Sequence, residues 1–467
     1  MNNTFNMDLR KYRKFLSLAA LFILFMISFL IKINPLYKGY NVPYGVVDTS
    51  FHISSALDLS EGNFKSLVHP WWHLKNHILL DGLDVVDRNA TTFFYPPFLH
   101  LILAVGFLFF PPEASIIIIS LLYSLSVIAV YLLCKSFKLK DSSALISSAL
   151  ITFSIPLVYS QTYGFWTFLI AFNFLILSYS LLRFKSRKLT WISLLFYLLA
   201  LTTHWTFFFF AALLGLVELF IAKNKEARLY LFSITIITAP FYTLLFNFAN
   251  PLSYIAVHFS EIHLPNSALI MLSSIGFFLG IKKYKEMSIF TILILILSLS
   301  YYIFGFKFIF GDMVQFVYPF LVSFYTASLF GLVKARISKI IFLILIAVIS
   351  IHSAISMQKL LVSTKASISK EEFNALMRLR TEFKSDDNTI LSIDRGLFPW
   401  WITVVSKNSK IIYPDTYEKE NMDKYKRDYI YNVIDKSKGY NFYKITKKNG
   451  NLTLERNVNL PKQSFIN

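Results

Sequence analysis

The tract Asp48-Thr49-Ser50-Phe51-His52 sets a carboxylate and an imidazole four residues apart, so on a helix they share one face. That makes the pair a candidate for chemistry. Asp is also a preferred helix N-cap, a role that does not exclude catalysis. The same polar stretch carries Asp58, Glu61, His69, His73, His77, Asp81, Asp84 and Asp87, against Lys38, Lys65, Lys75 and Arg88. His69, His73 and His77 recur at i, i+4 and i+8, which on a helix stacks them on one face. The stack reads either as a metal site or as an amphipathic surface helix with Trp71 and Trp72 at the headgroup level. Asp84 and Asp87 are the carboxylates that would hold a divalent cation, magnesium or manganese, although Asp81-Gly82-Leu83-Asp84 also reads as a solvated turn.

These groups are conspicuous because of the chain that must position them. Of its 467 residues 55% are hydrophobic and 16% charged, well below the roughly one quarter charged of a soluble globular protein. Apolar runs of about 15 to 22 residues alternate with short basic clusters, the pattern of a polytopic α-helical membrane protein. Charge beside hydrocarbon is costly unless it is paired or used. The first run, Phe15 to Ile33, has no cleavage motif after it and reads as a retained helix.

The formal charge of +19 does not point to nucleic acid, because 20 of the 46 basic residues fall in six clusters between apolar runs. That is the bias of cytoplasmic loops. Cys134 is the one cysteine, which excludes an intramolecular disulfide and a cysteine zinc cluster.

Starting with the amino terminus inside, the expected spans are 15–33, 113–134, 142–160, 164–182, 189–203, 205–221, 229–248, 267–281, 287–304, 314–333 and 339–356. Every basic cluster then lies on the cytoplasmic side, and the outer loops beyond the third span hold only Lys307. The arrangement requires that 93–110 not cross. Paired prolines at Pro96-Pro97 and Pro111-Pro112 bound that segment, which reads as a re-entrant or juxtamembrane helix on the outer face. The expected fold is therefore about eleven transmembrane helices in a domain over 1–356 that includes the outer loop 34–112. A small α/β extracytoplasmic domain follows over 357–467, with a helix from Glu371 to Phe383, strands at Thr389 to Asp394 and Lys410 to Tyr413, and late β-prone runs. Asn89-Ala90-Thr91 and Asn451-Leu452-Thr453 fit glycosylation acceptors on that outer side.

Three tracts together resemble the GT-C superfamily of polyprenyl-phosphate-dependent glycosyltransferases, in particular its mannosyltransferase-like members. They are Val47-Asp48-Thr49-Ser50-Phe51-His52, Tyr95-Pro96-Pro97-Phe98-Leu99-His100 and the break at Leu201-Thr202-Thr203-His204. The resemblance implies a cell-membrane enzyme that transfers a sugar, with inversion, from a polyprenyl-phosphate donor to a glycan, lipid or protein acceptor outside the cytoplasm. It gives Asp48 the role of acceptor base, with His52 beside it. Tyr95, Arg88, His204 and Lys307 are the expected substrate-binding residues, the last three as phosphate contacts. Two departures stand out: Asp48 has no adjacent acidic residue, and Gly311 to Pro319 lacks the arginine often found there. The competing expectations are a transporter or flippase of a lipid-linked or amphipathic solute, which would need ionisable groups deep in its helices, and a membrane scaffold.

Overall fold

The computed structural model describes residues 2–37, 43, 49–63, 77–78, 96–162, 164–204, 206–248, 266–304, 316–363, 368–383, 389–393, 401, 403–406, 410–412, 441–448 and 451–457. The chain divides into two compact units. One comprises Met1–Gly39, Ile116–Thr243 and Ile255–Thr364; the other comprises Tyr40–Ser115, Leu244–Tyr254 and Lys365–Asn467.

The first unit is built from helices. Four helical stretches are long and apolar enough to cross a bilayer: Tyr12–Lys32, Pro112–Ser136, Trp166–Arg183 and Arg336–Ser363. The protein is thus a helical membrane protein. Helices also lie over the other expected spans, including Arg187–Thr203, Phe207–Phe220, Ser267–Gly280 and Tyr318–Leu332. One expectation is corrected. The segment 142–160, read as a single helix, is two, Asp141–Thr152 and Ile155–Thr162, bent by 40° at the break and able to form a fifth crossing as a pair. Pro156 is the reason: it lacks a donor and clashes with the preceding turn, so the first helix stops before it and it stands in the first turn of the second.

The second unit holds the polar loop and the tail. Its sheet runs β1 (His77–Ile78), β3 (Lys410–Ile412), β2 (Thr389–Ile393), β4 (Asn441–Lys448), β5 (Asn451–Asn457) in spatial order. The first four strands are parallel, and β5 pairs antiparallel with β4 in the register Lys448↔Asn451. Asn449-Gly450 joins them in sequence, the dipeptide most favoured in a tight hairpin. The helix Lys370–Glu382 packs on β5 and starts with a capping box, Ser369 Oγ accepting from Glu372 N and Glu372 Oε2 from Ser369 N, each at 3.2 Å. The short helix Thr403–Ser406 packs between it and the helix Thr49–Ser60, which in turn packs on Phe98–Phe107. That last helix has 10 residues and spans about 15 Å, half of a ~30 Å hydrocarbon core.

Candidate active site

The helix Thr49–Ser60 begins with the residue after Asp48 and is enclosed on nearly every side. Thr49, Ser50, His52, Ser54 and Asp58 are all buried, an unusual density of polar groups for a twelve-residue helix. Buried polar side chains require partners, and two partnerships define the site.

The first is a histidine pair. His52 Nδ1 lies 3.0 Å from His100 Nε2, the ring centroids 5.3 Å apart and the rings tilted by 35°. One nitrogen must donate and the other accept, so at least one of the two rings is neutral while the bond stands. His100 sits in the first turn of Phe98–Phe107, whose start is fixed by Pro97 at the N-cap. The pair is a buried proton-sharing device at the amino-terminal end of the helix that follows Asp48.

The second partnership anchors the other end. The fully buried Arg380 donates from Nη2 to Asp58 Oδ1 and from Nε to Glu61 Oε1, each at 2.7 Å, and from Nη1 to the carbonyl of Val404. Burial alone would pull the guanidinium down, but Asp58 and Glu61 outweigh it and hold Arg380 above its ordinary range. The residue therefore stays charged, and the clamp fixes the helix about 9 Å along its axis from His52. Its signal is present in the sequence: Phe373, Leu376 and Arg380 are spaced i, i+3, i+7, putting a base in an apolar stripe.

Asp48, Arg88, Tyr95, Lys307, Asp84 and Asp87 lie outside the described residues, as do His69 and His73. His204 belongs to the first unit. It ends the helix Arg187–Thr203 in extended backbone, its Nδ1 is 2.8 Å from Thr206 Oγ1, and its ring is set edge-on to Phe168 and Phe207. The helical stack expected of His69, His73 and His77 is corrected at its last member. His77 is in strand β1, paired with Ile411, because the apolar run that it opens completes a sheet edge. Among the described residues, no three His, Cys, Asp or Glu side chains converge as a metal site.

Neither a scan against protein-family models nor a search of curated proteins finds a match to this chain. The functional reading therefore rests on the residues themselves.

Proposed function

We propose that this protein is an integral membrane glycosyltransferase that moves a sugar from a polyprenyl-phosphate donor to an acceptor on the extracytoplasmic face. The observation that carries the reading is the His52–His100 hydrogen bond at 3.0 Å. It joins two of the three tracts of the resemblance, in residues otherwise 48 apart, and His52 stands four residues after Asp48 in sequence. In the reaction, Asp48 orients the acceptor hydroxyl. The hydroxyl oxygen attacks the anomeric carbon on the face opposite the phosphate. The carbon–oxygen bond to phosphate breaks and its electron pair leaves on the phosphate, while the hydroxyl proton passes to Asp48 and onward to the histidine pair. The leaving phosphate is already a stable anion, so the second carboxylate needed in glycoside hydrolysis is dispensable.

In this reading eleven helices cross the membrane, the amino terminus and the six basic clusters face the cytoplasm, and residues 357–467 form a small α/β domain outside. The test is in vitro transfer from polyprenyl-phosphate sugars. Asp48→Asn should lower the rate at least about 100-fold; an undiminished rate in the folded variant would remove the proposal.

The transport reading is the weaker one, because the buried ionisable cluster of the first unit lies at helix ends that the proposed topology puts in the cytoplasm, not deep in the helices. The fully buried Glu218 forms an ion pair with Arg183, whose guanidinium also lies 3.8 Å from Glu286 and 3.6 Å from the centre of the Phe137 ring. Movement of a labelled lipid-linked solute across vesicles without glycosyl product would select that reading.

A further inference from the structure

The helix ending at Lys32 faces outward along most of its length, and its packed side is a narrow stripe of Leu21, Ser28 and Lys32. A lysine at the end of a span ordinarily snorkels to the headgroups. Lys32 does the reverse. Its side chain is 0% exposed, and its ammonium turns back one helical turn to donate to Ser28 Oγ. Among the described residues Ser28 is its one hydrogen-bond partner, and none of their carboxylates pairs with it. Among the described residues two of its three donors therefore find no acceptor, in a place where an unpaired cation is expensive.

A second group beside it is also incomplete. Gln161 Nε2 donates to the Lys32 carbonyl and to Ser120 Oγ, each at 3.1 Å, which fixes the orientation of the carboxamide. Its buried Oε1 accepts from nothing among the described residues. The Gln161 carbonyl in turn accepts from Trp166 Nε1 at 2.9 Å, so the residue is held from both ends. The corner thus offers spare donors on a cation and a spare acceptor on a rigid amide, at the residue where a candidate span ends. The end of a span lies near the depth of lipid phosphates, and the ammonium lies one helical turn inward of it. A hydroxylated phosphoester complements both groups, its oxygens on the ammonium and its hydroxyl on Gln161.

We propose that Lys32 is the cationic contact for the phosphoryl group of a membrane-borne phosphoester, with Gln161 as the accompanying hydrogen-bond acceptor. The choice of a polyprenyl phosphate as that ester rests on the glycosyl-transfer reading. Binding is read by thermal stabilisation of the full chain in detergent, with no acceptor or transferable sugar present. The additives are a polyprenyl monophosphate, the matching polyprenol and inorganic phosphate. Wild type should be stabilised by the monophosphate and not by the polyprenol. Lys32→Met should weaken that binding about 10- to 100-fold, while leaving the free protein as stable as before, since it removes a buried unpaired charge. Lys32→Arg, which keeps the charge, should retain most of the response. Equal responses of wild type and Lys32→Met would overturn the assignment, as would equal stabilisation by the polyprenol. A full effect from inorganic phosphate alone would overturn the lipid as its source. Because the readout needs no turnover, loss of binding in Lys32→Met with no transfer by wild type would sustain this site and sink the glycosyl-transfer reading. Transfer with unchanged binding in Lys32→Met would do the opposite.

Discussion

Arg380 shows how differently two carboxylates on one base are weighted. Asp58 is as enclosed as the guanidinium, whereas the Glu61 side chain is 42% exposed and shares its charge with solvent. Breaking a fully buried pair leaves an uncompensated charge and costs about 3–5 kcal/mol, while a solvent-exposed partner contributes about 1 kcal/mol or less. Chemical denaturation should therefore find Arg380→Ala and Asp58→Ala each destabilised by several kcal/mol, and Glu61→Gln close to wild type. The double replacement Arg380→Met/Asp58→Leu should recover most of the loss, because two apolar side chains leave no charge unpaired. A group whose pKa is raised on folding contributes stability that is present below its ordinary value and lost only above the raised one, so this clamp should hold as pH rises through the alkaline range in ordinary use. His100 makes a different kind of contact, a hydrogen bond to the His52 ring. His100→Phe keeps ring volume but removes the partner that orients His52, and it should slow transfer by about 10- to 100-fold with little change in lipid-phosphate affinity. Equal loss of binding and rate would assign His100 to substrate contact instead.

Helix ends were legible where chemistry marks them. The expected break at His204 does end the helix Arg187–Thr203, and the helix expected from Glu371 to Phe383 runs from Lys370 to Glu382, its start fixed by the capping box at Ser369 and Glu372. Packing carried less of a signal. Asp58 reads as one more acid in a polar loop until a base 322 residues away closes on it. His77 obeys a helical spacing that sheet pairing overrides. Pro156 was visible, but apolarity on both sides concealed the bend it imposes. The contact between Ser267–Gly280 and Tyr318–Leu332 is a further case. Gly276 and Gly280 stand four apart, and a Cβ at Gly276 would collide with the Tyr325 carbonyl, so backbone meets backbone there. At Gly280 the nearest atoms are Tyr284 Cδ2 at 3.0 Å and Ser328 Oγ at 3.8 Å, side chains that can yield. Gly276→Ala should therefore cost about 1–3 kcal/mol by forcing the helices apart, and Gly280→Ala distinctly less. Equal effects of the two on thermal midpoint would show that the close approach is not at Gly276.

Three lysines link local strain to the orientation of the whole molecule. Among the described residues, Lys138, Lys185 and Lys223 are the non-glycine residues with positive φ, at 60°, 54° and 50°. Each stands just beyond a helix end, after Ser115–Ser136, Trp166–Arg183 and Phe207–Phe220. Glycine is the usual residue in that left-handed position, and an L side chain there costs about 1–2 kcal/mol. A cation offsets part of this by complementing the helix carboxyl end, and Lys185 Nζ also donates to the Ala222 carbonyl at 3.0 Å. The remainder makes sense if the charge is needed for threading, since the proposed topology puts all three ends in the cytoplasm. Stability and orientation then pull in opposite directions at the same residues. Replacing Lys138 and Lys223 by glycine should raise the thermal midpoint of the purified protein, because each relieves strain without removing a side-chain hydrogen bond to another described residue. The same change should weaken the inside bias, so that a reporter fused after residue 138 is partly exposed outside, while one fused after residue 112 stays outside as in wild type. A gain in stability with unaltered reporters would mean that the lysines serve the helix ends alone. A cytoplasmic reporter at 112 in wild type would instead mean that the 93–110 segment crosses, which would put the basic clusters that follow it outside.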